Sequence, residues 1–232
     1  MQYAKLGWSN VKISRISLGG MSYGSKEPWM APKETAVKII KKGIDLGINY
    51  IDTADVYSDG ESEKIIGEAI RGYDREELLI GTKVGLEFGS GLNNSGLSRK
   101  RLYAQLRGSL ERLQTDYVDL YQIHRWDYST DIEEVLSTLT QFVREGKVRY
   151  IGATSIYAFQ IQRGVKPAVL ALAWLLNKPY VTTVLLGATK PEHLDDAVQA
   201  LDLKLTEDEM KLLEKPYRPH ELMGPTKSPL AP

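Results

Sequence analysis

Cysteine is absent from all 232 residues. That excludes disulfides, thiolate metal sites and a cysteine nucleophile, and it fits a reducing compartment. Neither sign of charge is in excess, because thirty Lys and Arg face thirty Asp and Glu. Without a basic surplus the chain is a poor general binder of nucleic acid or of an anionic membrane surface. No apolar run approaches the roughly 20 residues that span a bilayer. The first residues, Met1-Gln2-Tyr3-Ala4-Lys5, lack the apolar stretch of a signal peptide. Only three histidines occur, His124, His193 and His220, with no H-E-x-x-H spacing, so no metal site is expected. Neither G-x-G-x-x-G nor a phosphate-loop motif is present. The expectation is a soluble, cytoplasmic protein that handles a small molecule.

What is present is a regular alternation. Apolar content of 42% is enough for one substantial core. Strand-like runs at 16–20, 48–53, 78–84, 117–124, 148–153 and 181–186 alternate with helical patterns at 32–47, 61–71, 98–113, 132–145, 168–176 and 191–200. In the first helix Ala36, Ile39, Ile40, Gly43 and Ile44 form one stripe. Ser98 is placed to cap the third, which carries Leu102, Leu106, Leu110 and Leu113. A last helix near 207–215 leads into a Pro-rich tail, so the reading is one domain over 1–215 and a loose tail over 216–232.

Strands apolar at consecutive positions are covered on both faces, as in a parallel sheet flanked by helices. Repeated βα units allow an open doubly wound sheet or a (β/α)8 barrel. Polar residues ending several different strands favour the barrel, whose active site is assembled on its C-terminal rim. Four such residues are Asp52, Tyr57, Lys83 and His124. An acid, a phenol, an ammonium and an imidazole on one rim can move a proton to or from a substrate oxygen. Singly, each is as easily a solvated or structural rim residue.

With Asp52-Thr53-Ala54-Asp55-Val56-Tyr57, Lys83 in Gly81-Thr82-Lys83, and His124 in Tyr121-Gln122-Ile123-His124-Arg125, the sequence closely resembles the aldo-keto reductases. Stretches 67–70, 96–121 and 187–194 support the match, which covers nearly all of residues 1–218. The resemblance implies a TIM barrel, NADPH as cofactor and a small-molecule carbonyl substrate, with hydride coming from the nicotinamide. Tyr57 would then donate the proton. Lys83 would lower the phenol's pKa, Asp52 would hold the ammonium, and His124 would orient the carbonyl.

Gly20 and Met21 match the loop near the nicotinamide ribose, and Thr154 and Ser155 the grip on the carboxamide, where the family often has Ser-Asn. Gly187, Ala188, Thr189 and Lys190 match the adenosine end, with His193 alongside. Lys190, near a helix start, suits a 2′-phosphate. Rim aromatics Tyr23, Trp29 and Trp126 are candidates for lining a substrate pocket with Tyr57 and His124.

One departure stands out. A (β/α)8 barrel takes about 250 residues, and here six strand candidates are found where eight are needed. The gap falls near Gln160 and Ile161, where the family's sixth and seventh strands belong. Either an internal stretch is omitted or a deletion is real, and the edges that a deletion would expose favour omission.

Two other readings compete. Gly20-Met21-Ser22-Tyr23-Gly24 fits the nucleophile elbow of serine hydrolases, but no helix pattern follows it. The potassium-channel β subunits, similar also at Gly96-Leu97-Ser98-Arg99-Lys100, bind NADPH as regulatory partners. They carry asparagine where His124 stands.

Overall fold

The computed structural model describes residues 1–7, 9–125, 127, 129–154 and 167–214. It opens with a feature that the sequence pattern did not announce. β1 (Tyr3–Lys5) and β2 (Lys12–Ser14) form an antiparallel hairpin. Its Ile13 packs with Tyr50 and Leu79, at the start of two later strands, beside Leu120. The hairpin therefore covers the N-terminal ends of the sheet.

The sheet contains β3 (Ile16–Gly19), β4 (Tyr50–Asp52), β5 (Leu79–Val84), β6 (Val118–Ile123), β7 (Val148–Ala153) and β8 (Val184–Leu186). All pairings are parallel, in the order β7-β6-β5-β4-β3-β8. Every residue of β4 and β5 is buried, as their unbroken apolar runs require. The six strands coincide with the six runs in the sequence, all but β7 trimmed by one to three residues at one end or both. Among the described residues β7 and β8 are the free edges and do not pair with each other. The junction read near 160 and 161, the tail at 216–232, Ser155 and Trp126 lie outside the described residues.

Helices α1 (Lys33–Asp45), α2 (Glu61–Ala69), α3 (Arg99–Leu113), α4 (Ile132–Arg144), α5 (Pro167–Leu176), α6 (Glu192–Gln199) and α7 (Glu207–Glu214) follow the strands. Ser98 caps α3 as the sequence suggests, its hydroxyl accepting from the Arg101 amide at 3.4 Å. The stripe Ala36, Ile39, Ile40 and Gly43 of α1 is buried against the sheet. Helices α2 and α3 approach so closely that a Cβ on Gly67 would meet the Leu113 carbonyl at 2.6 Å. One continuous core, from Ile16 to Ala200, runs between sheet and helices. Each fully buried Ile or Leu in it contributes about 1.5–3 kcal/mol. No helix among the described residues is long and apolar enough to cross a membrane.

Candidate active site

Side chains alternate along a strand, so Tyr50 and Asp52 of β4 share a face. On β5 and β6 the same face carries Lys83 and Gln122, which are register partners. These four side chains converge. The Asp52 carboxylate accepts from the Lys83 ammonium, from the Tyr50 hydroxyl at 2.9 Å and from Gln122 Nε2 at 2.6 Å. Lys83 also donates to the Thr53 carbonyl at 2.9 Å. The ion pair is almost fully buried, with side-chain exposures of 4% and 3%. Buried charges persist only when paired and hydrogen-bonded, and Asp52 is saturated in this way. Gly81 makes the arrangement possible, because a Cβ there would collide with the Tyr50 hydroxyl.

Tyr57 stands on a turn just beyond β4. That turn is tied to β5 by amide bonds from Thr53 to the Gly81 carbonyl at 2.8 Å and from Asp55 to the Lys83 carbonyl at 3.2 Å. The Lys83 ammonium lies 5.2 Å from the Tyr57 ring centre. His124 follows β6, its amide bonded to the Val84 carbonyl at 2.8 Å. Its imidazole meets the Tyr57 ring edge-on, with centres 5.6 Å apart. All four expected side chains are thus gathered on the C-terminal rim.

Their proton chemistry differs in part from the expectation. Burial first, then the Asp52 charge, pushes the Tyr57 phenol up to about 12. The net shift is upward even with the Lys83 ammonium nearby, because burial and the Asp52 charge outweigh it. His124 is driven down to about 4 by burial and by the charges of Lys83 and Arg125, so the ring is neutral at physiological pH. A neutral imidazole still has one N–H to donate.

Beneath the Tyr57 turn lies a second buried polar cluster. Asp55 accepts from the Gln105 amide at 3.2 Å, whose carbonyl oxygen accepts from Arg101 at 2.7 Å. Burial, reinforced by the Glu63 charge, lifts the Asp55 carboxyl to about 7. Glu63 accepts from Thr82 and Arg112, each at 2.6 Å. Tyr50, Gln122, Gly81 and Asp55 did not stand out in the sequence. The period-two step back from Asp52 to Tyr50, and from His124 to Gln122, is the signal that could have found the first two.

The other candidates divide. Tyr23, expected on the rim, is fully buried in the core, and its backbone carbonyl accepts from the Ser58 hydroxyl at 2.9 Å. It is a packing residue and does not line an open pocket. Met21 and Trp29 are about half exposed. Ser22 is buried and donates weakly to the carbonyls of Gly19 and Ala188. The chain then extends at Tyr23 and no helix begins, which removes the nucleophile-elbow reading.

Of the groups matched to the cofactor, Gly20 and Met21 follow β3, and the rest stand at the two free edges. Thr154 follows β7, its amide bonded to the Ile123 carbonyl at 3.2 Å and its hydroxyl to the His124 carbonyl at 3.3 Å. The Gly187-to-Lys190 turn links β8 to α6, whose start has no side-chain cap. There His193 Nδ1 accepts from the Thr189 amide at 3.3 Å, and Lys190 is exposed. An uncapped helix start and an exposed lysine are suited to a phosphate. A Cβ on Gly20 would strike Ser62 and Thr53, so glycine is required beside the site. No cluster of three or more metal-binding side chains occurs among the described residues. A cavity of about 940 Å³ along α3 and Phe142 lies elsewhere.

A parallel α/β sheet with an Asp, Tyr, Lys and His gathered on its C-terminal rim defines a class of barrel protein with proton-transfer groups at the mouth. Comparison with known proteins makes this specific. A profile of the aldo/keto reductase family matches residues 15–163 and again 156–218. The chain belongs to the aldo/keto reductase family.

The aldo-keto reductase dtxS3 of Metarhizium robertsii is 40% identical over 186 residues, covering 69% of this chain and 50% of that protein. A Schizosaccharomyces pombe protein, provisionally named as a voltage-gated potassium channel β subunit, is 29% identical, covering 90% of this chain and 91% of itself. The holo form of an aldo-keto reductase from Bacillus halodurans superposes with a TM-score of 0.83 at 25% identity, covering 93% of this chain and 96% of that one.

The chain spans about half the length of several of the curated relatives it matches. The alignment to the yeast protein runs over 317 positions yet draws on only 90% of 232 residues. About a hundred positions of that relative therefore have no counterpart here. Among the described residues the fold is the (β/α)8 barrel short of two strands, as the six-stranded sheet indicates.

Proposed function

We propose that this protein reduces aldehydes or ketones to alcohols with NADPH, Tyr57 supplying the proton. The observation that carries the reading is the buried Asp52–Lys83 pair beside the Tyr57 and His124 rings. The turn at Gly187, Ala188, Thr189 and Lys190, with His193, would hold the adenosine end, and Gly20, Met21 and Thr154 the nicotinamide end. Ser155 is assigned there by resemblance alone. When bound, the reduced nicotinamide supplies the hydride that no side chain can.

The remaining work falls to the chain's own groups. With its pKa near 12 the Tyr57 hydroxyl keeps its proton throughout the neutral range and can pass it to a carbonyl oxygen that gains negative charge. Neutral His124 donates a hydrogen bond to the same oxygen and fixes its position. Asp52, saturated by Tyr50 and Gln122, holds the Lys83 ammonium 5.2 Å from the Tyr57 ring, where it favours the phenolate left after transfer. Trp29, half exposed, and Trp126 are assigned to the substrate pocket from the sequence.

The test follows NADPH absorbance with a panel of aldehydes. Tyr57→Phe is expected to lower kcat by at least a hundredfold, as loss of a general acid does, while NADPH affinity by fluorescence titration stays within about twofold. Activity surviving in Tyr57→Phe would remove the proton-donor assignment. A second reading, an NADPH-binding regulatory module, draws on the likeness to the yeast protein. Tight NADPH binding without turnover of any aldehyde would favour it.

A further inference from the structure

The charges around the site nearly cancel. Lys83 is matched by Asp52, and Lys26 on the neighbouring loop by Asp59 at 2.9 Å. His124 and Tyr57 are uncharged at neutral pH. Arg125 has no such partner among the described residues. It directly follows His124 at the C-terminal end of β6, and its side chain is exposed. Its main chain is packed against the rim, where a Cβ on Gly85 would lie 3.3 Å from the Arg125 carbonyl oxygen. No hydrogen bond or ion pair engages its guanidinium among the described residues.

The acid next to it in the chain is already engaged. Asp127 accepts from the Leu97 amide at 2.9 Å, from the Ser129 amide at 2.9 Å and hydroxyl at 2.6 Å, and from the Thr130 hydroxyl. Asp55 is buried under Gln105. The Arg125 charge is also felt where the reaction would occur, since it helps to keep His124 neutral and eases ionisation of Tyr57.

An unmatched guanidinium on the residue after the imidazole that would orient the carbonyl, its charge felt at that ring, has a consequence for substrate choice. We propose that Arg125 is a specificity-determining residue that selects carbonyl substrates carrying a carboxylate, the carboxylate meeting the guanidinium while the carbonyl oxygen lies at Tyr57 and His124. The planar fork of arginine matches a carboxylate with two parallel hydrogen bonds. A single cation balances one carboxylate, whereas a phosphate monoester at neutral pH would bring about −1.5 to −2. The proposal rests on the reductase reading and narrows it.

The experiment compares 4-carboxybenzaldehyde with its methyl ester, which has nearly the same shape and no charge. The ratio of kcat/KM for acid over ester is measured in the unmodified protein, Arg125→Gln and Arg125→Lys. A ratio well above one is expected, falling about tenfold in Arg125→Gln through KM, and partly restored in Arg125→Lys. Rising salt lowers the ratio in the unmodified protein, because exposed charges are screened.

A ratio near one, or one that Arg125→Gln leaves unchanged, overturns the proposal. The same comparison is made by calorimetric titration of 4-(hydroxymethyl)benzoate and its methyl ester, which requires no turnover. If no aldehyde is reduced, the reductase reading fails, and the titration still decides whether Arg125 selects the carboxylate. Equal affinity for acid and ester there also overturns the proposal.

Discussion

Asp55 sits fully buried two residues from Tyr57, with its carboxyl lifted to about 7 by burial and by Glu63. In the unfolded chain an aspartate ionises near 3.9. Below that value both states are protonated and the group has no effect on stability. As pH rises toward 7 the unfolded chain releases its proton and the folded one does not, so stability falls through this window and the loss is complete above it. Asp55→Asn keeps an acceptor for Gln105 and removes the titration. The variant is therefore expected to melt several degrees above the unmodified protein at pH 8 and to lose most of that advantage at pH 5, as calorimetry at the two pH values would register.

At the same scale, Asp52, Tyr57, Lys83 and His124 were legible in the sequence because each ends or follows an apolar run. Their proton affinities were not. A lysine beside a tyrosine reads as an activator, yet here Asp52 matches its charge and burial prevails. Tyr23 was misplaced for a related reason, since an aromatic in a loop looks the same in sequence whether it faces solvent or, as here, the core.

Among the described elements, period and capping were enough to find the seven α-helices and the six parallel strands. The hairpin β1–β2 escaped, because its two three-residue strands are too short to display alternation. Helix α3 ends on Gln114, whose φ of 56° places a residue with a side chain in the left-handed region. The amide of Thr115 then closes onto the Leu110 carbonyl at 3.2 Å, a helix end that glycine ordinarily provides. Gln114→Gly should relieve the strain, offset in part by the greater freedom of the unfolded chain and by loss of the Arg71 contact. A net gain of roughly 0.5–1 kcal/mol is expected, seen as a higher urea midpoint with an unchanged slope.

For the molecule as a whole, the missing strands divide the site unevenly. Asp52, Lys83 and His124 are borne by β4, β5 and the end of β6, neighbours on the continuous arc of the sheet, so the tetrad assembles without barrel closure. Of the groups assigned to the cofactor, Thr154 and the turn from Gly187 to Lys190 follow β7 and β8, the two free edges among the described residues. Ile151 on β7 is 41% exposed and Leu185 on β8 is 47% exposed. Exposed apolar edge strands invite pairing with another chain, and an edge lysine blocks it. Ile151→Lys is expected to reduce concentration-dependent light scattering of the 232-residue chain. Equal scattering would mean that this edge is not what associates.

The order of strands and helices and the four polar side chains at strand ends were determined by the sequence alone, because period, capping and strand-end polarity act over a few neighbouring residues. The tertiary structure decided which groups share the Asp52 carboxylate, how far Tyr57 and His124 shift from their solution acidities, and which charge at the rim stays unmatched. Those depend on burial and on contacts between residues as far apart as Tyr50 and Gln122. Local pattern carries no record of desolvation, which is set only when distant strands close over the same polar atoms.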